Sequence, residues 1–259
     1  MLIDAHCHIQ AEEFNDDRDA VIERCRSRGM TCVVVGNRLE DSQSAVTLAE
    51  THEGLFACVG LHPMFVTDEE WDQEAFTKLL QHPRVVGVGE VGLDYYRLWA
   101  DSKEEELAAK KTQKDLFLKQ IALARKHKKP VVIHCRDAYD DLMRIVKNVR
   151  DVPMMIHTFL GDANAARAFL DLGIVLSFSG IVTFEDEEPV VEAVKIVPLK
   201  QMMIETDSPH LAPVPFRGQR NEPIHVEEVA RKIAEIKNVS VDEVINTTSD
   251  NARAFFGLP

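Results

Sequence analysis

The sequence contains no CxxC pair, and its five cysteines (Cys7, Cys25, Cys32, Cys58, Cys135) are odd in number. Such spacing supplies neither a disulfide framework nor a thiolate zinc site. Several of them sit in apolar runs, where cysteine behaves as a small buried hydrophobe, so the expected compartment is reducing and cytoplasmic. No window approaches the roughly 20 apolar residues that cross a bilayer, so no membrane partner is expected. The first residues lack a basic segment followed by an apolar one, and no Arg-Arg pair occurs, which argues against a cleaved secretion signal. Positive charge is also scarce: 43 acidic against 30 basic residues leave a formal charge of −13. A field of that sign disfavours a protein that rides along a polyanion. No Pro/Gly/Ser-rich linker or low-complexity tract divides the 259 residues, so residues 1–259 are expected to form a single domain.

What the chain does have is alternation. Short apolar runs occupy residues 2–7, 31–37, 55–62, 84–92, 130–135, 153–159, 173–179 and 201–207. Near-continuous Val, Ile and Met of this length suit strands buried on both faces of a parallel sheet. Amphipathic segments separate them, predicting helices over Asp16–Arg28, Asp41–Glu53, Glu69–Gln81, Glu105–Lys126, Ala138–Val149, Asp162–Leu172 and Glu187–Ala193. Two more follow the last run, Ile224–Lys237 and Val241–Phe256, the latter with Ser240 as its N-cap. Eight strand-helix units in about 250 residues are the signature of a (β/α)8 TIM barrel, with an open doubly wound sheet as the alternative. The charged stretch 97–115, with Glu106 and Lys110 at helical spacing, reads as a solvated helix face or as a lid.

Residues able to carry chemistry collect at the C-terminal ends of the runs. The first ends in "DAHCHI", where Asp4, His6 and His8 share a face by the period of a strand. Others end in His62, Glu90, His134, His157 and Asp207. In a barrel that end of the strands is the active-site face, so residues scattered over about 200 positions would converge there. Four histidines and two carboxylates (His6, His8, Glu90, His134, His157, Asp207) form a mixed N/O donor set for Zn²⁺, Mn²⁺ or Mg²⁺. Six donors exceed the needs of one ion with an open position. Two divalent cations sharing a carboxylate, about 3.5–4 Å apart, fit better, and such a pair suits phosphoryl displacement.

The segments "DAHCHI", "VGLHP", "GEVGLDYYR", "VIHCRDA", "IHTFLGD" and "ETDSPHLAPVPFRGQRNEP" resemble, in order, the signature segments of the TatD family of metal-dependent deoxyribonucleases, within the amidohydrolase-like barrels. They run from residue 4 to residue 223. The resemblance implies that Glu90 bridges two ions, with His6, His8 and Asp207 on one and His134 and His157 on the other. Two departures stand out: Thr158, Leu160 and Asp162 replace commoner residues in "IHTFLGD", and Phe216 in the last segment stands where a histidine is common. Both bear on the substrate pocket and neither on the ligands.

The activity so implied is hydrolysis of DNA phosphodiesters. Asp207 would orient the attacking water and accept its proton. His62 reads as a hydrogen-bond partner of a phosphate oxygen or leaving group, or as a residue that finishes a strand. Glu205 reads as a partner orienting a ligand histidine, or as an ordinary ion pair. Arg97, Arg136, Arg217 and Arg220 follow strand ends, where each would grip a phosphate or pair with an acid; phosphate contact is favoured for Arg136 and Arg217. Tyr95, Tyr96, Trp99 and Phe216 would stack an unpaired base or simply pack. The acidic surface points to an exonuclease acting on single-stranded ends or short oligonucleotides, which need few phosphate contacts. No obligate protein partner is expected. The rival is another metal hydrolase on the same scaffold, cleaving an ester or amide, including deacylation of aminoacyl-RNA. Many such barrels bridge their metals with a carbamylated lysine, and the fourth run has none. A catalytically silent binding protein would have lost a ligand, and none is missing.

Overall fold

The computed structural model describes residues 1–96, 98 and 100–259. Arg97 and Trp99, expected above as a phosphate contact and a stacking ring, lie outside the described residues.

Strands and helices alternate through β1 (Ile3–Cys7), α1 (Arg18–Ser27), β2 (Thr31–Val35), α2 (Leu39–Thr51), β3 (Leu55–Val59), α3 (Gln73–Leu80), β4 (Val85–Asp94) and α4 (Lys103–His127). They continue through β5 (Val131–Arg136), α5 (Tyr139–Val146), β6 (Met154–Ile156), α6 (Ala163–Leu170), β7 (Val175–Phe178), α7 (Glu188–Ile196), β8 (Met202–Ile204), α8 (Val226–Lys237) and α9 (Val241–Phe256). All adjacent strands pair in parallel, in the order β1 to β8. The seam between β8 and β1 is drawn together just beyond β8: Asp207 N donates to His6 O (3.0 Å) and His8 N to Ser208 O (2.7 Å). The Asp4 carboxylate reinforces it, accepting from Thr206 N (2.9 Å) and the Thr206 hydroxyl. The result is a nearly closed (β/α)8 barrel.

Two apolar layers hold it. Outside, Phe117, Ile121 and Ala124 of α4 and their counterparts on the other helices pack against outward-facing strand residues. Inside, Ile3, Val33, Phe56, Val86, Val132, Met155 and Met203 come from seven strands and meet Ala252 and Phe256 of α9, which plugs the N-terminal end. Because strand side chains alternate, the next inward positions after Val132, Met155 and Met203 are His134, His157 and Glu205. The lower barrel is thus an apolar plug, and the same face turns polar one step higher.

The boundaries differ from the sequence expectation in an instructive direction. The runs 31–37, 55–62, 153–159 and 201–207 leave the ladder early, so Asn37, His62, His157 and Asp207 occupy the loops just past their strands. Conversely β4 runs on to Asp94 rather than stopping at 92. Helix α3 starts at Gln73, not Glu69, because the Asp72 carboxylate accepts from Glu74 N and Ala75 N (3.0 Å each) and sets the cap there. Asp162 does the same for α6, accepting from Asn164 N (3.0 Å) and Ala165 N (2.8 Å). α7 extends past 193 to Ile196 with Val190, Ala193 and Val194 buried. The charged stretch after β4 enters α4, where Glu106 pairs with Lys110, as a solvated helix face does.

Candidate metal centre

At the C-terminal mouth of the barrel the two oxygens of one carboxylate divide the histidines between them. Glu90, on β4 and almost fully buried, places Oε1 2.7 Å from His134 Nδ1 and 2.7 Å from His157 Nε2. Its Oε2 lies 3.4 Å from His6 Nε2 and 3.8 Å from His8 Nε2. Asp207 Oδ1 completes the second group, 3.3 Å from His8 Nε2 and 3.6 Å from His6 Nε2. The ring nitrogens also converge: His6 Nε2 to His8 Nε2 is 3.1 Å, and His134 Nδ1 to His157 Nε2 is 3.2 Å. All six residues singled out in the sequence as metal donors therefore meet. Asp4 does not join them, since its carboxylate ties the barrel seam.

The bonds made by the far nitrogens fix the tautomers. His8 Nδ1 faces the Val35 carbonyl (2.7 Å), which only accepts, so Nδ1 carries the hydrogen and Nε2 presents a lone pair. His157 Nδ1 donates to Glu205 Oε1 (3.1 Å) and His134 Nε2 to Asp94 Oδ2 (3.1 Å), leaving His157 Nε2 and His134 Nδ1 bare toward Glu90. Bare imidazole nitrogens set against ionised carboxylate oxygens require positive charge between them. Without an ion, protons meet that need. Burial alone would lower the histidine pKa values, and together with the charge of His157 it keeps His6 lowered, but the charge of Glu90 and bonds to Glu205, Asp94 and Asp207 leave His8 and His134 raised and His157 well above its usual value. Burial alone would raise the carboxylates; the neighbouring histidines instead hold Glu90 well below its ordinary range and Asp207 down at about 2.

The donors fit divalent cations. Ligands bonded at about 2.1 Å to a common ion stand roughly 3.0–3.4 Å apart, close to the nitrogen-to-oxygen spacings here, and the nitrogens already point their lone pairs inward. The same atoms group as His6, His8, Glu90 and as His62, Glu90, His134. His62 is the odd member. Its Nδ1 accepts from Met64 N (3.0 Å), so Nε2 carries the hydrogen and points it toward Glu90 Oε1 at 3.4 Å. Burial and the charge of His134 hold His62 down at about 4, so it is neutral and a donor at physiological pH. It has left the strand and caps the short 3-10 turn Pro63–Phe65.

Glu205 is fully buried, and its Oε1 accepts from His157 Nδ1, Thr158 N (2.8 Å) and Thr158 Oγ1 (2.6 Å). The replacement Thr158 is thus part of the histidine's support. The replacement Leu160 lines the cavity above the centre, whereas Asp162 is a helix cap on the surface. That cavity, about 410 Å³, is walled by Met64, Phe65, Leu160, Ile181 and Leu211 over a floor of histidines and carboxylates. Among the described arginines only Arg136 lines it, its guanidinium 3.7 Å above the ring of Tyr96, which is 62% exposed. Arg217 lies outside it, over Phe184 and 3.4 Å from Asp186 Oδ1. Arg220 forks onto Asp17 (2.6 and 2.7 Å) and reaches Glu222 (3.1 Å), the acid-pairing reading. Tyr95 donates to Asp141 Oδ2 (2.8 Å), and Phe216 stacks on His225 at 4.0 Å, so both serve packing. Sequence reasoning missed Asp94, Asn37 and His210, which also line the cavity. Asp94 stood inside the quoted "GEVGLD" and His210 inside "ETDSPHLAP", and Asn37 closes the run 31–37, so their signal was location alone.

A family model described as TatD related DNase matches residues 3–257. The chain is 38% identical over 262 residues to an uncharacterized metal-dependent hydrolase, YabD, of Bacillus subtilis, covering all of both chains. It is 36% identical to another, YcfH of Escherichia coli K12, covering 99% of this chain and 96% of that one. The crystal structure of YJJV, a TatD homologue from Escherichia coli K12, superposes with a TM-score of 0.90 at 27% identity, covering 100% of this chain and 98% of that one. An uncharacterized amidohydrolase from Saccharomyces cerevisiae shares the fold at 21% identity and a TM-score of 0.81. A match from end to end, with the six candidate donors assembled at the barrel mouth, means that this chain belongs to the TatD-related DNase family of metal-dependent hydrolases.

Proposed function

We propose that the protein hydrolyses DNA phosphodiesters, as an exonuclease on single-stranded ends or short oligonucleotides, using two divalent cations (Mg²⁺, Mn²⁺ or Zn²⁺). The observation that carries this reading is the division of Glu90, with one oxygen facing His134 and His157 and the other facing His6 and His8 beside Asp207. His6, His8 and Asp207 would hold one ion, His134 and His157 the other, and Glu90 both. Such ions supply Lewis acidity for the phosphoryl oxygens and acidify water. The chain's own residues do the rest. Asp207, ionised at neutral pH, accepts a hydrogen bond from the attacking water and takes its proton. His62 donates an Nε2–H hydrogen bond to a phosphate oxygen as charge develops there, and as the P–O bond to the leaving group breaks, the proton taken by Asp207 passes through solvent to the departing oxygen. Arg136, at the rim, grips the neighbouring phosphate, and Tyr96 beneath it offers a face to an unpaired base. Glu205 keeps His157 in the tautomer that leaves Nε2 free. The apolar wall opposite shields the reacting bond from bulk water. Arg217, outside the cavity and paired with Asp186, serves only a longer strand that crosses the rim. The five buried, free cysteines support a cytoplasmic setting.

The test is digestion of end-labelled single-stranded and blunt duplex oligonucleotides by protein loaded with each metal, beside His134→Ala and an aminoacyl ester substrate. Metal-dependent loss of terminal nucleotides from the single strand, absent in His134→Ala, is expected. Ester cleavage without DNA cleavage would favour the same-scaffold ester or amide hydrolase.

A further inference from the structure

Two buried carboxylates stand behind the donors, and the geometry assigns them unequal reach: Asp94 positions one histidine and so serves one ion, whereas Glu205 positions a histidine of each ion and serves both. This rests on the two-ion reading above and deepens it.

Asp94 ends β4 and is 2% exposed. Its Oδ2 takes the Nε2 hydrogen of His134 at 3.1 Å, so Nδ1 is the nitrogen turned to Glu90. Its main chain is pinned from α4: Gln113 Oε1 accepts from Asp94 N (2.9 Å) and Gln113 Nε2 donates to Asp94 O (3.0 Å). A carboxylate held this firmly fixes both tautomer and ring angle of the histidine it faces.

Glu205 is placed differently. Oε1 is saturated by His157 and Thr158, but Oε2, also buried, has no hydrogen-bond partner among the described residues. The same is true of His6 Nδ1 and of the Ser177 hydroxyl, a third buried group that faces Glu205. These are not remote orphans: the His6 ring stacks on His157 at 4.1 Å and 15°, and donor atoms of His6, His157 and Glu205 lie within 4.8 Å of one another. A bare carboxylate oxygen, a bare imidazole nitrogen and a bare hydroxyl, all fully buried and none bonded directly to another, are each costly unless one shared water joins them. Through that water Glu205 Oε2 draws the Nδ1 hydrogen of His6 and turns His6 Nε2 toward Glu90 and Asp207. One carboxylate, two stacked imidazoles and two ion positions form a single rigid unit.

The experiment titrates metal-free protein with Mn²⁺ by calorimetry and counts bound ions by elemental analysis, with His134→Ala and His8→Ala as references for each ion. Asp94→Ala is expected to weaken only the His134-side ion, by about 10- to 100-fold, with rescue by Asp94→Asn, whose amide oxygen accepts the same bond. Glu205→Ala is expected to weaken both ions by at least about 10-fold. Should it fail to fold, Glu205→Gln serves: it keeps the oxygen facing His157 but sets an NH₂ against His6, and the His6-side ion alone weakens. If the wild-type protein binds two ions and the Glu205 variants leave the His6-side ion intact, or Asp94→Ala weakens both equally, this proposal falls alone. If the wild-type protein binds only one ion, the two-ion reading falls and takes it along.

Discussion

His62 and His134 sit with ring centroids 4.3 Å apart and face the same oxygen of Glu90, yet their hydrogens lie on opposite sides. The Met64 amide makes His62 a donor at Nε2, while Asp94 makes His134 a lone pair at Nδ1. One should therefore support the reaction without holding metal, and the other should do the reverse. His62→Ala is expected to retain full metal content while turnover falls about 10- to 100-fold, the worth of one hydrogen bond to a charged group. Elemental analysis beside oligonucleotide turnover checks it, and loss of an ion would show that His62 is a ligand after all. Backbone residues at the centre are equally committed. Gly92 has φ +143°, and a Cβ there would stand 2.1 Å from His134 O. Gly218 has φ +89° with nothing within 4 Å of such a Cβ. Gly92→Ala must push β5 aside, at a cost of about 3 kcal/mol or more, and lower Tm by about 6–12 °C. Gly218→Ala pays only backbone strain, about 1 kcal/mol. Equal melting shifts for the two variants would contradict the clash.

Among the elements, the helix ends offer the cleanest energetics because they lie away from the centre. Ser240 Oγ accepts from Glu243 N at 3.1 Å, so Ser240→Ala should destabilise by about 1 kcal/mol with unchanged activity. Lys128 closes α4 in the left-handed region at φ 54°, so Lys128→Gly should gain about 0.5–1 kcal/mol. Thermal melts of both variants, moving in opposite directions, test these ends. The same elements explain what the sequence made readable. Parallel strands buried on both faces are written as unbroken Val, Ile and Met, so all eight were legible, and their even spacing with intervening amphipathic segments gave the barrel. Exits from the ladder were not legible: nothing in "VIHC" or "PMMIHTF" says that pairing stops at Ile156 in one and continues through His134 in the other. The six donors survived this because a residue at a strand's end or just beyond it reaches the same mouth. Asp94 was hidden because β4 seemed complete at Gly92, and an acid after a strand usually caps the next helix. The arginines were least legible, since a guanidinium near a strand end pairs with phosphate or with acid according to neighbours such as Asp17 and Asp186, which come from elsewhere in the chain.

For the whole molecule, charge decides both substrate and stability. A net −13 protein whose described cavity arginines reduce to Arg136 has little with which to track a strand. Each phosphate neutralised on single-stranded DNA contributes about −0.7 to the slope of log affinity against log salt. A slope shallower than about −2 is expected, and a steeper one would reveal a longer basic track. The centre itself is a sink for positive charge, and protons and metal ions compete to fill it. His8, His134 and His157 have pKa values raised above 6.5 in the metal-free fold. The stability they contribute is complete below 6.5 and is lost as pH rises through the raised values. Glu90 and Asp207 are depressed, so their contribution is lost only on acidification below about 4.5. Asp4, pushed up to about 8 by burial, also favours lower pH, but it ties the seam with or without metal and cancels in a comparison. Divalent ions bind only the deprotonated nitrogens, so their affinity rises by up to about tenfold per pH unit for each proton displaced. The Tm difference between Mn²⁺-loaded and EDTA-treated protein should therefore widen steadily from pH 6 to pH 8, as the metal-free fold loses the histidines' contribution and the loaded one does not. A difference that stays flat over that range would mean that the histidines are already neutral and that protons are not holding the place of the metal.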